Sequence, residues 1–132
     1  EGTKDNNDQI LATLIENLRE VLRTYGKPYL VIAGADLAHI GAQFGDPYPL
    51  NSYTLDRSRD KDEEILYCIK QINAQSFFNV IKNERDARRI CGLTPIYCLL
   101  RLMEGCTAEI ASYDQWTDGN SSVSFAGALF YK

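Results

Sequence analysis

The sequence is short of histidine, of basic excess and of long apolar runs, and each shortage removes a class of function. A single histidine, His39, stands among 132 residues. A zinc or non-haem iron centre with at least three protein ligands therefore cannot be built here from histidines alone. Eighteen acidic against 14 basic side chains leave a net charge of −4, which disfavours a nucleic-acid partner or an anionic membrane. The apolar stretches fall far short of the roughly 18 residues of a spanning helix, and no charged-then-apolar leader opens the sequence. The expectation is a soluble, cytoplasmic protein without a membrane or nucleic-acid partner. Cys68, Cys91, Cys98 and Cys106 form no C-x-x-C pair and lie in apolar patterns, which argues against a disulfide framework or structural zinc. There is no G-x-S-x-G, phosphate-cradling loop or dinucleotide fingerprint.

What is present suits one layered α/β domain: 45% of residues are hydrophobic and 24% charged, ordinary for a globular core. The run from Tyr29 to Ala33, broken at Gly34, reads as a strand buried on both faces. The loop after it carries Asp36 and His39, where open α/β sheets place their chemistry. Through Leu55 the chain holds Gly41, Gly45, Pro47, Pro49, Asn51 and Ser52, an irregular loop long enough to suggest function. Packing on Phe44, Tyr48 and Tyr53 is the bland alternative.

Helices flank this segment. After a polar tail over residues 1–6, Ile10, Leu11, Leu14, Ile15, Leu18, Val21, Leu22 and Tyr25 form a stripe at helical spacing. Asn6 with Gln9 suggests a capping box, and Gly26 with Pro28 a stop. A second helix is expected over Asp56–Ile72, its charged first half solvated and Cys68 in its core stripe. A short third helix is capped by Ser76, and a fourth starts with Thr94 as cap and Pro95 inside, ending near Gly105. Two strands, Thr107–Tyr113 and Ser122–Tyr131, join through Asp118-Gly-Asn120 into a terminal hairpin. Val123, Phe125, Leu129 and Tyr131 are expected to share its half-buried face, and Trp116 to plug the connecting loop.

Asp36 three residues before His39 either orients the imidazole or stands independently beside it around one pocket, for acid/base work or metal ligation. Cys91 lies just ahead of the fourth helix, where the macrodipole and free N–H groups favour an anion and Arg88 and Arg89 are close. His39 with Cys91 alone makes an incomplete metal site, and a Cys–His nucleophile pair is the other chemistry they permit. Cys98 and Cys106 read as packing residues.

Gly34-Ala-Asp-Leu-Ala-His-Ile-Gly41 with Phe44, Ile90-Cys-Gly-Leu-Thr-Pro-Ile96, Tyr113 to Asp118 and Ser121-Ser-Val-Ser-Phe-Ala126 together resemble the Memo-like family, the "B" component of the AmmeMemoRadiSam gene set. The resemblance runs through nearly the whole chain after the first helix and corresponds to the C-terminal half of such a protein. Glu1 in place of an initiator methionine fits a piece of a longer polypeptide. The resemblance implies a sandwich similar to the class III extradiol (non-haem iron) dioxygenases. It also implies a pocket where His39 holds the place of the acid/base histidine and Cys91 that of the carboxylate metal ligand. Two further histidines would come from the half not present. The implied function is a metal-dependent, dioxygenase-like oxidoreductase when intact, with iron or copper that His39 and Cys91 alone would not hold. The alternative is an adaptor whose vestigial pocket binds a small molecule or peptide without turnover, and the third candidate is a cysteine-dependent hydrolase or transferase. Half a domain also exposes apolar surface, so self-association is expected.

Overall fold

The computed structural model describes residues 2–132, with side chains from Asp8 onward. Two compact units divide the chain, Glu1–Ile32 and Ala33–Lys132.

The first unit is built on helix α1, Gly2–Thr24. The helix runs through the polar segment, so Asn6 lies inside it and does not cap it, and the Asn6 side chain lies outside the described residues. No proline or internal glycine interrupts these residues, so the helix propagates. Of the expected stripe only Ile15 is buried, while Ile10, Leu14, Val21 and Tyr25 are exposed. Tyr29–Ala33 is not a strand. No described strand pairs with it, and Leu30 and Ile32 are 82% and 77% exposed. An apolar run is a strand only where a neighbour completes its hydrogen-bond ladder, and here that ladder begins further along the chain.

In the second unit Leu37 N–H donates to Ser124 O (2.8 Å) and Ser124 N–H returns to Ala38 O (3.0 Å). Strand β1, His39–Gly41, follows, then a 3-10 turn over Ala42–Phe44. Helices α2 (Ser52–Lys70), α3 (Ala74–Asn83) and α4 (Leu93–Leu102) precede strands β2 (Thr107–Thr117) and β3 (Ser121–Tyr131). The sheet order is β1-β3-β2, antiparallel throughout. The α/β class and terminal hairpin agree with expectation, and the sheet is not of the parallel kind that a doubly buried strand suggested.

Helix starts differ from expectation in one consistent way. Asn51 caps α2 in a reciprocal box with Thr54, earlier than Asp56. Asn73, not Ser76, caps α3 by accepting from Ser76 N–H, and Gly92 rather than Thr94 stands at the cap of α4. Each helix starts earlier than expected, and at Asn51 and Asn73 the side-chain oxygen accepts from the backbone N–H three residues on.

The core joins Leu37 and Ala38 to Ile65, Leu66, Cys68 and Ile69 of α2, Phe77 and Ile81 of α3, and Ile90 and Leu100 around α4. Against it pack Ile110, Tyr113, Ala126, Ala128 and Phe130 of the hairpin. The buried face of β3 is therefore the even-numbered one, with Ser122 and Ser124 also buried. Phe125, Leu129 and Tyr131 lie on the other face and are exposed, as is Trp116, which sits in β2 opposite Val123 and plugs nothing. Small Ser and Ala side chains admit the helices closely, so the less hydrophobic face is the packed one. A register shift between Ile110 and Ser112 inserts one residue into β2, which keeps Tyr113 on the inner face after Ile110.

Tyr113 is thereby held over a buried polar knot. Asp62, expected on a solvated face, is fully buried. Its carboxylate accepts from Arg88 Nη1 (2.6 Å) and from Tyr113 Oη (2.7 Å). Arg88 also donates to Ser58 O, Ser58 Oγ and Glu84. A charge at the inner edge of a helix is kept because its partners arrive from other elements, a pairing that one helix's own sequence does not display.

Candidate functional site

Three chemically capable side chains meet where β1 begins and α4 is about to begin. One ligand atom each from Asp36, His39 and Cys91 lies within 4.8 Å of the others. Asp36 and Cys91 are exposed and His39 is half-buried, so the group opens to solvent.

Pairing through backbone draws the two segments together. Gly92 N–H donates to Asp36 O (3.1 Å), and the Cys91 sulfur accepts from Asp36 N–H (3.2 Å) while its thiol donates to Asp36 O (3.3 Å). No larger residue fits at position 92, since a Cβ there would stand 2.5 Å from Ile96 Cδ1 and 2.8 Å from Asp36 O. On the other side Gly41 has φ +108° and lies so close to the hairpin that a Cβ would meet Asn120 O at 2.3 Å. Glycine there lets β1 seat against β3 and fixes His39 opposite Val123.

The imidazole is held by backbone and not by the Asp36 carboxylate. His39 Nδ1 lies 3.1 Å from Leu37 O and 3.1 Å from Arg89 O. Carbonyl oxygens only accept, so Nδ1 carries the proton and donates, and Nε2 is the nitrogen left to bind or to exchange a proton. Phe44 packs edge-on to the ring at 5.2 Å. Of the two arrangements open from sequence, independent placement around one site is the one found.

Arg88 and Arg89 do not serve Cys91. Arg88 is committed to Asp62, Ser58 and Glu84. Arg89 Nη2 donates to Asp46 Oδ1 (2.8 Å) and Nη1 to His39 O (3.2 Å). The Arg89 guanidinium outweighs burial, which acts the other way, and holds the Asp46 carboxyl below its ordinary range, with Gly41 N–H helping as a donor. Nor does Cys91 pair with His39, since sulfur and imidazole both spend their contacts on backbone. Cys68 is core as expected, while Cys98 and Cys106 are half-buried. Burial raises the thiol pKa of both Cys68 and Cys98. Sequence reasoning missed Asp46 and the structural use of Arg89. The only signal for them was the Arg88-Arg89 doublet beside Cys91, which charge counting assigned to the wrong partner.

Comparison with known proteins agrees on one family. A family model described as "Memo-like protein" matches residues 4–129. A curated relative, "MEMO1 family protein" of Aquifex aeolicus (strain VF5), is 25% identical over 126 residues, covering 92% of this chain and 32% of the relative. The chain thus spans about a third of the length of the curated relative that it matches.

Proposed function

The chain belongs to the Memo-like protein family, and from that premise we propose that Asp36, His39 and Cys91 form one wall of a metal site, for iron or copper, at which the intact protein performs a dioxygenase-like oxidoreductase reaction on a small substrate. The observation that supports this most is the convergence of three different donor types within 4.8 Å. Bonds of about 2.0–2.3 Å to one ion set tetrahedral donors roughly 3.3–3.7 Å apart, so side-chain rotation of about an ångström closes the group. Three protein donors are also the usual complement of a catalytic centre that keeps an open position. A carboxylate oxygen, an imidazole nitrogen and a thiolate are compatible with iron or copper.

When bound, such a metal would supply redox chemistry and dioxygen activation. The chain's own contribution is Nε2 of His39, aimed by two carbonyls, as ligand or as acid/base group. Cys91 contributes a sulfur seated on the Asp36 backbone.

Cobalt(II) titration of the reduced full-length protein tests this. A thiolate-to-cobalt charge-transfer band that disappears in Cys91→Ser is expected. No band, or an unchanged band in Cys91→Ser, would overturn the site. The adaptor reading draws on the site's openness and on the exposed apolar side chains of the outer sheet face. It requires that the full-length protein bind its small molecule or peptide unchanged, so detection of turnover removes it. Self-association is part of the same proposal, and a strictly monomeric chain in sedimentation at high concentration would contradict it.

A further inference from the structure

We propose that Arg89 is the positioning residue of the Asp36–His39–Cys91 group, locking His39 as the Nδ1–H tautomer so that Nε2 alone faces the site. The inference rests on the metal-site reading for its purpose, but not for its geometry.

Arg89 touches the histidine twice, and its neighbour Arg88 adds a third contact. Its carbonyl takes the Nδ1 proton at 3.1 Å, its guanidinium donates to the carbonyl of His39 at 3.2 Å, and its neighbour's carbonyl, that of Arg88, accepts from His39 N–H at 2.7 Å. Aiming the carbonyl this way needs an unusual backbone, and Arg89 has φ +50°. A non-glycine residue holds the left-handed region only where its surroundings fix it. Here the fixing contacts are visible. Arg89 N–H donates to Asp86 O (3.0 Å), Ile90 N–H donates to the Asp86 carboxylate (2.9 Å), and Asp46 clamps the guanidinium. Asp46 in turn accepts from Gly41 N–H at 2.9 Å, at the end of the strand that His39 begins. The clamp therefore closes a loop from His39 through Gly41, Asp46 and Arg89 back to His39.

This matters chemically because a neutral imidazole offers one lone pair. A histidine in water favours the Nε2–H tautomer, which would present a proton where a ligand or base is needed. Two carbonyls at Nδ1 reverse that preference, and partners of this kind govern metal affinity almost as strongly as the ligands do.

The test uses the metal-free chain with ¹⁵N-labelled histidine. His39 is the only histidine, so one pair of ring nitrogen signals reports the tautomer directly. The unaltered chain should show Nδ1–H. Arg89→Met removes the clamp, and the Nδ1–H to Nε2–H ratio should fall about tenfold, the effect of losing a hydrogen bond or so. Arg89→Lys, able to reach Asp46 or the His39 carbonyl but not both, should fall between. An Nε2–H signal in the unaltered chain, or an unchanged ratio in Arg89→Met, would overturn the proposal. Cobalt titration of the same substitutions made in the full-length protein separates the two ideas. If the tautomer responds to Arg89→Met but no Cys91-dependent band ever forms, the metal reading fails and the positioning role stands. If both hold, Arg89→Met should weaken cobalt binding by about 10- to 100-fold.

Discussion

Arg88→Ala should be the most damaging single truncation of a polar side chain in the second unit. Arg88 is 8% exposed and Asp62 is 0% exposed, and the pair is joined at 2.6 Å. Removing the guanidinium leaves the Asp62 carboxylate with only the Tyr113 hydroxyl, and strips Ser58 and Glu84 of a donor. Breaking a buried pair on one side costs about 3–5 kcal/mol, because the surviving charge is desolvated and uncompensated. A domain of this size has a stability of about 5–15 kcal/mol. At a urea slope of about 2 kcal/mol per M, the midpoint should move down by about 2 M. The counter-experiment is Arg88→Met with Asp62→Leu. Removing both charges should recover at least half of the loss, since the penalty lies in the orphaned charge more than in the missing bond. A cost below about 1 kcal/mol for Arg88→Ala, the size of a surface ion pair, would refute this account of the core. So would a double variant no better than the sum of its parts.

Tyr113→Phe should cost about 1–3 kcal/mol at neutral pH by leaving Asp62 short of a donor. Burial, and then the Asp62 carboxylate, push the Tyr113 pKa well above its usual 10.0, so its contribution is whole below that value and is lost as pH rises toward the folded one. The stability gap between variant and parent should therefore narrow above about pH 10, read from urea midpoints, and a constant gap would contradict the linkage. Asp46 titrates with the opposite sign. Its depressed pKa makes the Arg89 clamp fully effective above the ordinary 3.8 and loses it as pH falls through the folded value, so Asp46→Asn should flatten the acid limb of a stability profile. Cys91, exposed where Cys68 is buried, should alkylate first of the four thiols in peptide-mapped labelling, and equal rates for all four would count against the open site. Gly92→Ala forces a methyl against Ile96 and Asp36 O. It should cost about 1–3 kcal/mol as overpacking and weaken the cobalt band, whereas an unchanged band would mean that Asp36 is not held by this approach.

The sequence displayed what local chemistry controls. Helix-forming stripes, the terminal hairpin around Asp118-Gly-Asn120 and the candidacy of Asp36, His39 and Cys91 all follow from periodicity, turn residues and the placement of rare polar groups in apolar context. The strand at Tyr29–Ala33 failed for the complementary reason. Hydrophobicity describes what a segment would bury, while a strand also needs a neighbour, and pairing instead starts at Leu37 through Ser124. The sheet face was misassigned by the same logic, because Ser122, Ser124 and Ala126 look like solvent positions until helices require a flat surface to pack on.

Asp62 and Arg89 show where such reading ends and why it ends there. Each is charged, each lies in a charged stretch, and neither differs from its neighbours in type. What separates Asp62 from Asp60 is a bulge in β2 that delivers Tyr113, together with an arginine 26 positions away in sequence. What separates Arg89 from Arg85 is a carboxylate 43 positions away and a carbonyl aimed at His39. The site's donors are legible because their chemistry is intrinsic to the side chain. Their orientation is not, because it is supplied by backbone carbonyls that every residue carries. The tautomer of His39 is therefore a property of the fold, set by the carbonyls of Leu37 and Arg89 and by an Arg89 guanidinium whose partner, Asp46, lies far away in sequence.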